Sequence, residues 1–500
     1  MMPQQSTADL YQLYTEHLQK TADIRYALAL LQWDQETYLP AKGNDFRSRQ
    51  MATLSETAHE LFTAEAFGHT LQHLLERNDL SAQQRKNVAL SWYDYSKQIK
   101  LSPAFVRQMS EAVSTSFHTW MQARKQNDFA SFELPLIALV TLKLQEADML
   151  GYESHPYNAM LNEYERGATV QLLDKVFGDV VQPLKSLLDK VLARPSADDE
   201  FLRQHFPKQQ QWDWGMYLAK QLGFDFEAGR QDISEHPFTT NFNSKDVRLT
   251  TRIDEHDFSN MTWSTIHEVG HGLYEQGLPD AQYGLPLGEY ASLSVHESQS
   301  RFWENCICRG KAFWQFYYPE LQKQFPQQLK NIDVDAFLAA INKVQASLIR
   351  TEADELTYHF HVIIRYELEK QLLSKDLQVK DIPAFWNESY QKWLGVTVPD
   401  AKNGCLQDVH WSHGSFGYFP TYSLGSFYAA QFWQHIKAEM PDVEQTIAST
   451  GDVSALLQWM RTNIHQHGRF YNSEELCSLA TGKNLDSSIF VQYLANKFNV

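Results

Sequence analysis

The stretch Thr265-Ile-His-Glu-Val-Gly-His-Gly-Leu-Tyr274 decides how the rest of this sequence is read. Within it, His267-Glu268-Val269-Gly270-His271 has the pattern His-Glu-x-x-His. On a helix, residues four apart stand one above the other on one face. The two imidazoles can then share one metal ion, and Glu268 can reach an activated water as general base. A surface helix with two unrelated histidines would show the same five residues. The flanking sequence therefore has to choose between the two.

Just upstream, His236 to Asp254 alternates, is rich in β-branched residues and carries an Asn-Ser-Lys turn signal. It predicts two or three short strands in a hairpin or small sheet. Nearly everything else has helical periodicity. Helices are expected from Ser6 to about Trp33, and from Arg47 to Arg77 with an interruption near Gly68. Further ones run from a Ser81 cap through Lys97, from Ser102-Pro103 through Arg124, and from Glu133 to Leu150. Asn158–Glu165, a Thr169-capped helix to Leu192, and Gln209–Leu222 follow. Downstream come Glu289–Gly310, Val334–Leu373 with a possible break, Ile382–Leu394, Thr421–Met440 and several more. The chain reads as mainly α, with one small antiparallel sheet beside the metal motif. No repeat, low-complexity tract or Gly-rich phosphate loop interrupts it.

Two histidines leave zinc under-coordinated, since a catalytic site takes a third protein ligand and keeps one position open. The motif helix is expected to stop near Gly277-Leu-Pro279, and a return helix to start near Glu289. His267 and His271 then lie roughly 15 and 9 Å from the stop at 1.5 Å per residue. Glu297 lies roughly 12 Å into the return helix, level with the gap between them. Glu289 stays near the loop and Glu304 goes too deep, so Glu297 is the best third ligand. His296 is the neighbouring alternative, about 100° round the helix. Zinc is the expected metal, with cobalt or manganese also suited to two His and one carboxylate. An oxyanion formed during peptide hydrolysis also needs a donor. Two stretches offer His or Tyr in loop-rich, aromatic settings: Gly404 to His413 and Phe416 to Tyr422.

At these residues the chain resembles the carboxypeptidase Taq family of metallocarboxypeptidases. His267-Glu-Val-Gly-His271 and His296-Glu-Ser-Gln-Ser300 look like its two metal motifs. Asp246-Val-Arg-Leu-Thr250, Ile349-Arg-Thr-Glu-Ala-Asp354 and Gly404-Cys-Leu-Gln-Asp-Val-His-Trp411 match three further blocks, in family order. The resemblance implies a two-lobed helical fold around one long cleft, taken here as a single peptidase domain over residues 1–500. It also implies removal of single residues from peptide C-termini, broad side-chain tolerance and a homodimer. An exopeptidase must recognise a free carboxylate, and a fixed guanidinium does so through paired hydrogen bonds. Arg350, inside a matching block, is the expected receptor, and Arg248 is the alternative. Tyr422 is the expected oxyanion donor, with Tyr418 in reserve and His410 as helper.

Composition opposes none of this. Lys and Arg number 44 against 61 Asp and Glu, a net charge of −17, which argues against nucleic acid or an anionic membrane as partner. The four cysteines form no disulfide framework, which points to a reducing cytoplasm. Met1 to Leu10 lacks the basic start and apolar core of a signal peptide. The longest apolar run, Leu134 to Leu142, is too short to span a bilayer. Two other readings stand beside the carboxypeptidase: a zinc oligoendopeptidase, and a non-enzymatic helical peptide-binding scaffold.

Overall fold

The computed structural model describes residues 6–500, so the reading of the N-terminus falls in part outside the described residues. Helices α1 (Thr7–Thr37), α2 (Asn44–Thr63), α3 (Glu65–Leu75) and α4 (Ala82–Gln98) open the chain. The Ser6 hydroxyl accepts from Asp9 N at the start of α1, and Ser81 and Gln84 form a reciprocal capping box on α4. The interruption expected near Gly68 falls at Ala64 instead. Gly68 lies inside α3, where any Cβ would overlap the Tyr95 hydroxyl. Its smallness serves packing against α4, not a break.

Helices α5 (Pro103–Gln126), α6 (Phe129–Leu150), α7 (Tyr157–Tyr164), α8 (Val170–Leu192) and α9 (Lys208–Gln221) follow. Ser102 and Thr169 cap α5 and α8 as expected. The sheet holds β1 (Gly229–Ile233), β2 (Thr239–Asn243) and β3 (Asp246–Thr251), in the order β1-β3-β2. β2 and β3 are an antiparallel hairpin, but β1 pairs with β3 in parallel, so the sheet is mixed and not purely antiparallel. β1 lies upstream of the alternating window, and its partner across the sheet is not its sequence neighbour.

The metal-motif helix is α10 (Phe258–Glu275), followed by α11 (Leu293–Arg301) and a π-helical segment, Phe302–Cys308. Next come α12 (Lys311–Gln324), α13 (Pro326–Leu329), α14 (Val334–Ile341), α15 (Tyr358–Ser374), α16 (Ile382–Leu394) and α17 (Pro420–Glu439). Helices α18 (Val443–Thr450), α19 (Ser454–Asn463), α20 (Ser473–Thr481) and α21 (Ser488–Phe498) finish the chain. The stretch Val334–Leu373 is indeed broken, between α14 and α15. Asp354 accepts there from the amides of Gln345, Leu356 and Thr357, giving the loop bonds that a helix would have supplied. Helices make up 69% of the chain, which settles the fold class as mainly α with one small sheet.

Buried side chains form two clusters. One, of Leu10, Tyr14, Phe67, Leu71 and Val88 among others, joins α1–α4 and takes in Leu285 from the loop after α10. The larger one runs through the rest, from Trp120 to Leu494, and surrounds α10. Leu249 of β3 packs on Gly272 of α10, which places the sheet against the metal-motif helix.

Candidate active site

Asp257 caps α10 by accepting from Ser259 N, and the helix carries His267 and His271 one turn apart. α11 starts at Leu293, four residues later than expected. The 3-10 turn Pro286–Gly288 delays it, and the Ser292 hydroxyl caps it by accepting from Val295 N. Glu297 is thus nearer the helix start than the depth arithmetic assumed. It still reaches the histidines because α10 and α11 touch at glycine: a Cβ on Gly270 would lie 2.6 Å from Ser300 Cα. One donor atom from each of His267, His271 and Glu297 lies within 4.8 Å of the others. Glu297 Oε2 is 3.6 Å from Nε2 of both histidines. Donors in a tetrahedral zinc site with bonds near 2.05 Å lie about 3.4 Å apart, so the three residues fit such an ion.

The three candidate ligands are held from behind. His267 Nδ1 donates to Glu304 Oε2 at 2.9 Å, leaving Nε2 for a metal. Glu304 is buried, and its carboxyl lies well below the usual range. Burial alone would raise it, but His267, Arg301 and Arg309 together override burial. Arg301 also donates from Nε to Glu297 Oε1 at 2.7 Å. His296, the alternative third ligand, points its Nε2 at Glu275 Oε1, 2.8 Å away.

Glu268 is buried, and burial raises its carboxyl above the usual range against the opposing pull of His267 and Thr239. Thr239 of β2 donates to Glu268 Oε2 at 2.6 Å. The sheet therefore orients the residue next to the first ligand.

A cleft of about 790 Å³ runs past the ligands and is lined by His267, Glu297, Arg301, Arg350, Tyr358 and Tyr422. Arg350 is 6% exposed. It donates from Nε to Asp408 Oδ1 and from Nη1 to Tyr358 Oη, each at 2.9 Å. Burial would lower its pKa, but Asp408 outweighs this and holds it well above the ordinary value. Asp408 also binds Arg365 at 2.6 Å, which fixes its position between two guanidiniums. Tyr422 lies in the first turn of α17, with its ring 5.0 Å from the Arg350 guanidinium. Its hydroxyl is 3.3 Å from His410 Nε2. Burial pushes His410 down to about 3, so it is neutral at pH 7, and holds Tyr422 protonated. The Tyr418 ring lies 5.3 Å from that of Tyr422. Arg248 stands apart from this group. It pairs with Asp246 at 3.0 Å and lies over the Trp33 ring at 4.3 Å.

Three residues of the site went unassigned in the sequence, Thr239, Arg301 and Tyr358, and Glu304 was weighed there only as a third ligand, not as the partner of His267. Of the three, Arg301 left a trace, four residues after Glu297 on the same helix face.

Two histidines of one helix, a glutamate of the next and a neighbouring buried carboxylate, opening on a cleft between helices, define a helical metallopeptidase centre. Comparison with known proteins narrows this class. The chain belongs to the carboxypeptidase Taq (M32) metallopeptidase family, whose profile matches residues 13–498. It is 38% identical over 484 residues to Carboxypeptidase 1 of Bacillus subtilis (strain 168), covering 96% of each chain. Among solved structures, the one described as "The Structure of CHT" shares 55% identity with a TM-score of 0.97, over 98% of this chain and 99% of that one. The M32 carboxypeptidase from Deinococcus radiodurans R1 shares 38% identity with a TM-score of 0.96, over 98% and 99%. The protein is a metallocarboxypeptidase.

Proposed function

We propose that the protein removes single residues from the C-termini of peptides with broad side-chain tolerance, using a divalent metal held by His267, His271 and Glu297. The observation that carries this reading is the convergence of three donors within 4.8 Å on a cleft that also holds Arg350 and Tyr422. Zinc suits the donor set, with cobalt or manganese as alternatives. A bound cation supplies Lewis-acid polarisation of the scissile carbonyl and raises the acidity of water.

The chain's own residues do the rest. Glu268, aimed by Thr239, takes the proton from the attacking water and passes it to the leaving amine. Arg350 receives the terminal carboxylate. Its Nε and part of its fork are committed to Asp408 and Tyr358, so the side chain is fixed before substrate arrives. Arg248 is the second candidate for that role, though its pairing with Asp246 favours a structural one. Tyr422 donates to the developing oxyanion. Neutral His410 accepts from or releases the Tyr422 hydroxyl, and Tyr418 is the reserve donor.

We propose one peptidase domain of two helical lobes over residues 1–500, supported by the two hydrophobic clusters. The family resemblance supports a homodimer. A cytoplasmic location is supported by four buried free cysteines. Among the described residues no helix is long and apolar enough to cross a membrane.

Time-resolved mass spectrometry of one peptide, free and C-terminally amidated, with and without chelator, tests the reading. Stepwise loss of C-terminal residues from the free peptide alone, abolished by chelator, is expected. Internal cleavage of both forms would make it an oligoendopeptidase. A metal-loaded protein that cleaved neither would be a peptide-binding scaffold.

A further inference from the structure

His267 has its own carboxylate behind it, whereas among the described residues no carboxylate bonds to His271 Nδ1. In its place stands a second histidine. His271 Nδ1 lies 2.6 Å from His296 Nδ1 and 3.0 Å from His296 O. His296 Nε2 lies 2.8 Å from Glu275 Oε1, and Glu275 Oε2 accepts from Asn241 Nδ2 at 2.6 Å. We infer that Asn241, Glu275 and His296 form a three-residue relay that fixes the proton position and ring orientation of the metal ligand His271. This rests on the proposed metal site.

The proton positions follow from donor and acceptor chemistry alone. A histidine that offers Nε2 to a metal carries its proton on Nδ1 and must donate it. Both acceptors in reach of His271 Nδ1 belong to His296: its carbonyl and its Nδ1. For that Nδ1 to accept, the His296 proton must sit on Nε2. The Glu275 carboxylate, an acceptor only, holds it there. Asn241 occupies the second Glu275 oxygen and stops the carboxylate from turning. Every bond in the chain therefore runs in one sense, towards Glu275.

Neighbouring rings hold His296 in this orientation. Its ring is boxed by Tyr290, Tyr274 and His271, with centroids at 4.9, 5.5 and 4.5 Å. Glu275 is 3% exposed. The simpler reading, a histidine merely satisfied within the core, does not require its free nitrogen to face a ligand nitrogen. Here it does. The two ligand histidines are thus oriented by different devices, one direct and charged, the other relayed through a second ring.

Glu275→Gln is the sharpest test because it is nearly isosteric. Asn241 would still donate to the amide oxygen, which turns the amide nitrogen to His296. His296 Nε2 would then have to accept, and its proton would move to Nδ1, against the proton of His271. The readouts are the zinc dissociation constant, from competition with a chromogenic chelator, and the visible absorption of the cobalt-loaded protein. Circular dichroism confirms the fold. Expected is metal binding about 10- to 100-fold weaker, with an altered cobalt spectrum. His296→Phe, which keeps the ring but not its nitrogens, should weaken binding similarly. In that background Glu275→Gln should add nothing, since the two act as one unit. A Glu275→Gln protein that binds zinc within twofold of wild type, or losses that simply add, would overturn the relay. If the unaltered protein took up no metal, the proposed site itself would fail, which is a different result.

Discussion

Glu268 and Arg350 divide the work of the proposed reaction, and each makes a separable prediction. Glu268→Gln keeps the shape of the side chain and its bond from Thr239 but loses the base. It should retain one metal per chain while kcat falls about 10²- to 10⁴-fold; metal analysis beside initial rates checks both halves. Arg350→Ala should lower kcat/KM on free-carboxylate peptides by roughly 100-fold, through loss of a charge-assisted paired contact. An unchanged kcat/KM would take the carboxylate receptor away from Arg350, with Arg248 as the second candidate. Tyr422→Phe should cut kcat by about 10²-fold and leave metal content alone; a near-normal kcat would hand the oxyanion to Tyr418 or His410. At this scale spacing made the pairing of His267 with His271 legible, because a helix stacks residues four apart on one face. Thr239 and the role of Glu304 behind His267 were not legible. A threonine from a strand and a glutamate from the next helical segment become partners only when tertiary packing brings them to α10.

Between elements, the decisive contacts are made by glycines. Gly425 of α17 lies so close to α11 that a Cβ there would sit 2.6 Å from Glu297 Cγ. Gly425→Ala should therefore act first on the proposed metal ligand Glu297. Helix propensity alone would favour alanine by about 1 kcal/mol. Overpacking at this contact should cost about 1–3 kcal/mol, so stability should change little or fall modestly while zinc affinity drops clearly. Thermal melts beside metal titration separate the two effects. Helix caps were readable at Ser81, Ser102 and Thr169, since a cap is a local arrangement of side chain and backbone. Two of the misreadings had non-local causes: Gly68 answers to Tyr95 on another helix, and β1 finds its partner beyond a hairpin. The late start of α11 is local, set by the Pro286–Gly288 turn and the Ser292 cap.

Over the whole molecule, one buried carboxyl outside the metal site should leave a mark on stability. Glu369 of α15 accepts from Trp411 Nε1 at 2.8 Å and from Gly417 N at 2.9 Å, as well as from the Tyr157 hydroxyl. It thereby ties the loop carrying His410 and Tyr418 to the core. Burial pushes its pKa from 4.5 up to about 7, in spite of those donors. A raised carboxyl means that the folded state holds the proton more tightly than the unfolded one. Its contribution is complete below the unfolded value of 4.5 and is lost as pH rises through about 7. That loss amounts to about 3 kcal/mol. Glu369→Gln should flatten the fall in stability across this window, which denaturant melts at a series of pH values would show. Parallel curves for the two proteins would mean that Glu369 does not titrate there. The mainly helical fold was legible because periodicity accumulates over many turns. The mixed sheet and the separate core of α1–α4 were not, because neither is a local property.

The π-helical segment Phe302–Cys308 has one further consequence, for the history and engineering of the chain. Such a segment is an α-helix that has accommodated surplus residues without unwinding. Glu304 lies inside it, so the surplus sets the direction in which this carboxylate faces His267. Deleting a single residue just before Glu304 would let the backbone relax to ordinary α-helical winding. Every later side chain would then swing by about 100°. Glu304 would leave His267 while the local chain stayed helical and well bonded. An insertion, ordinarily read as damage to a helix, is here what aims the support of a proposed metal ligand.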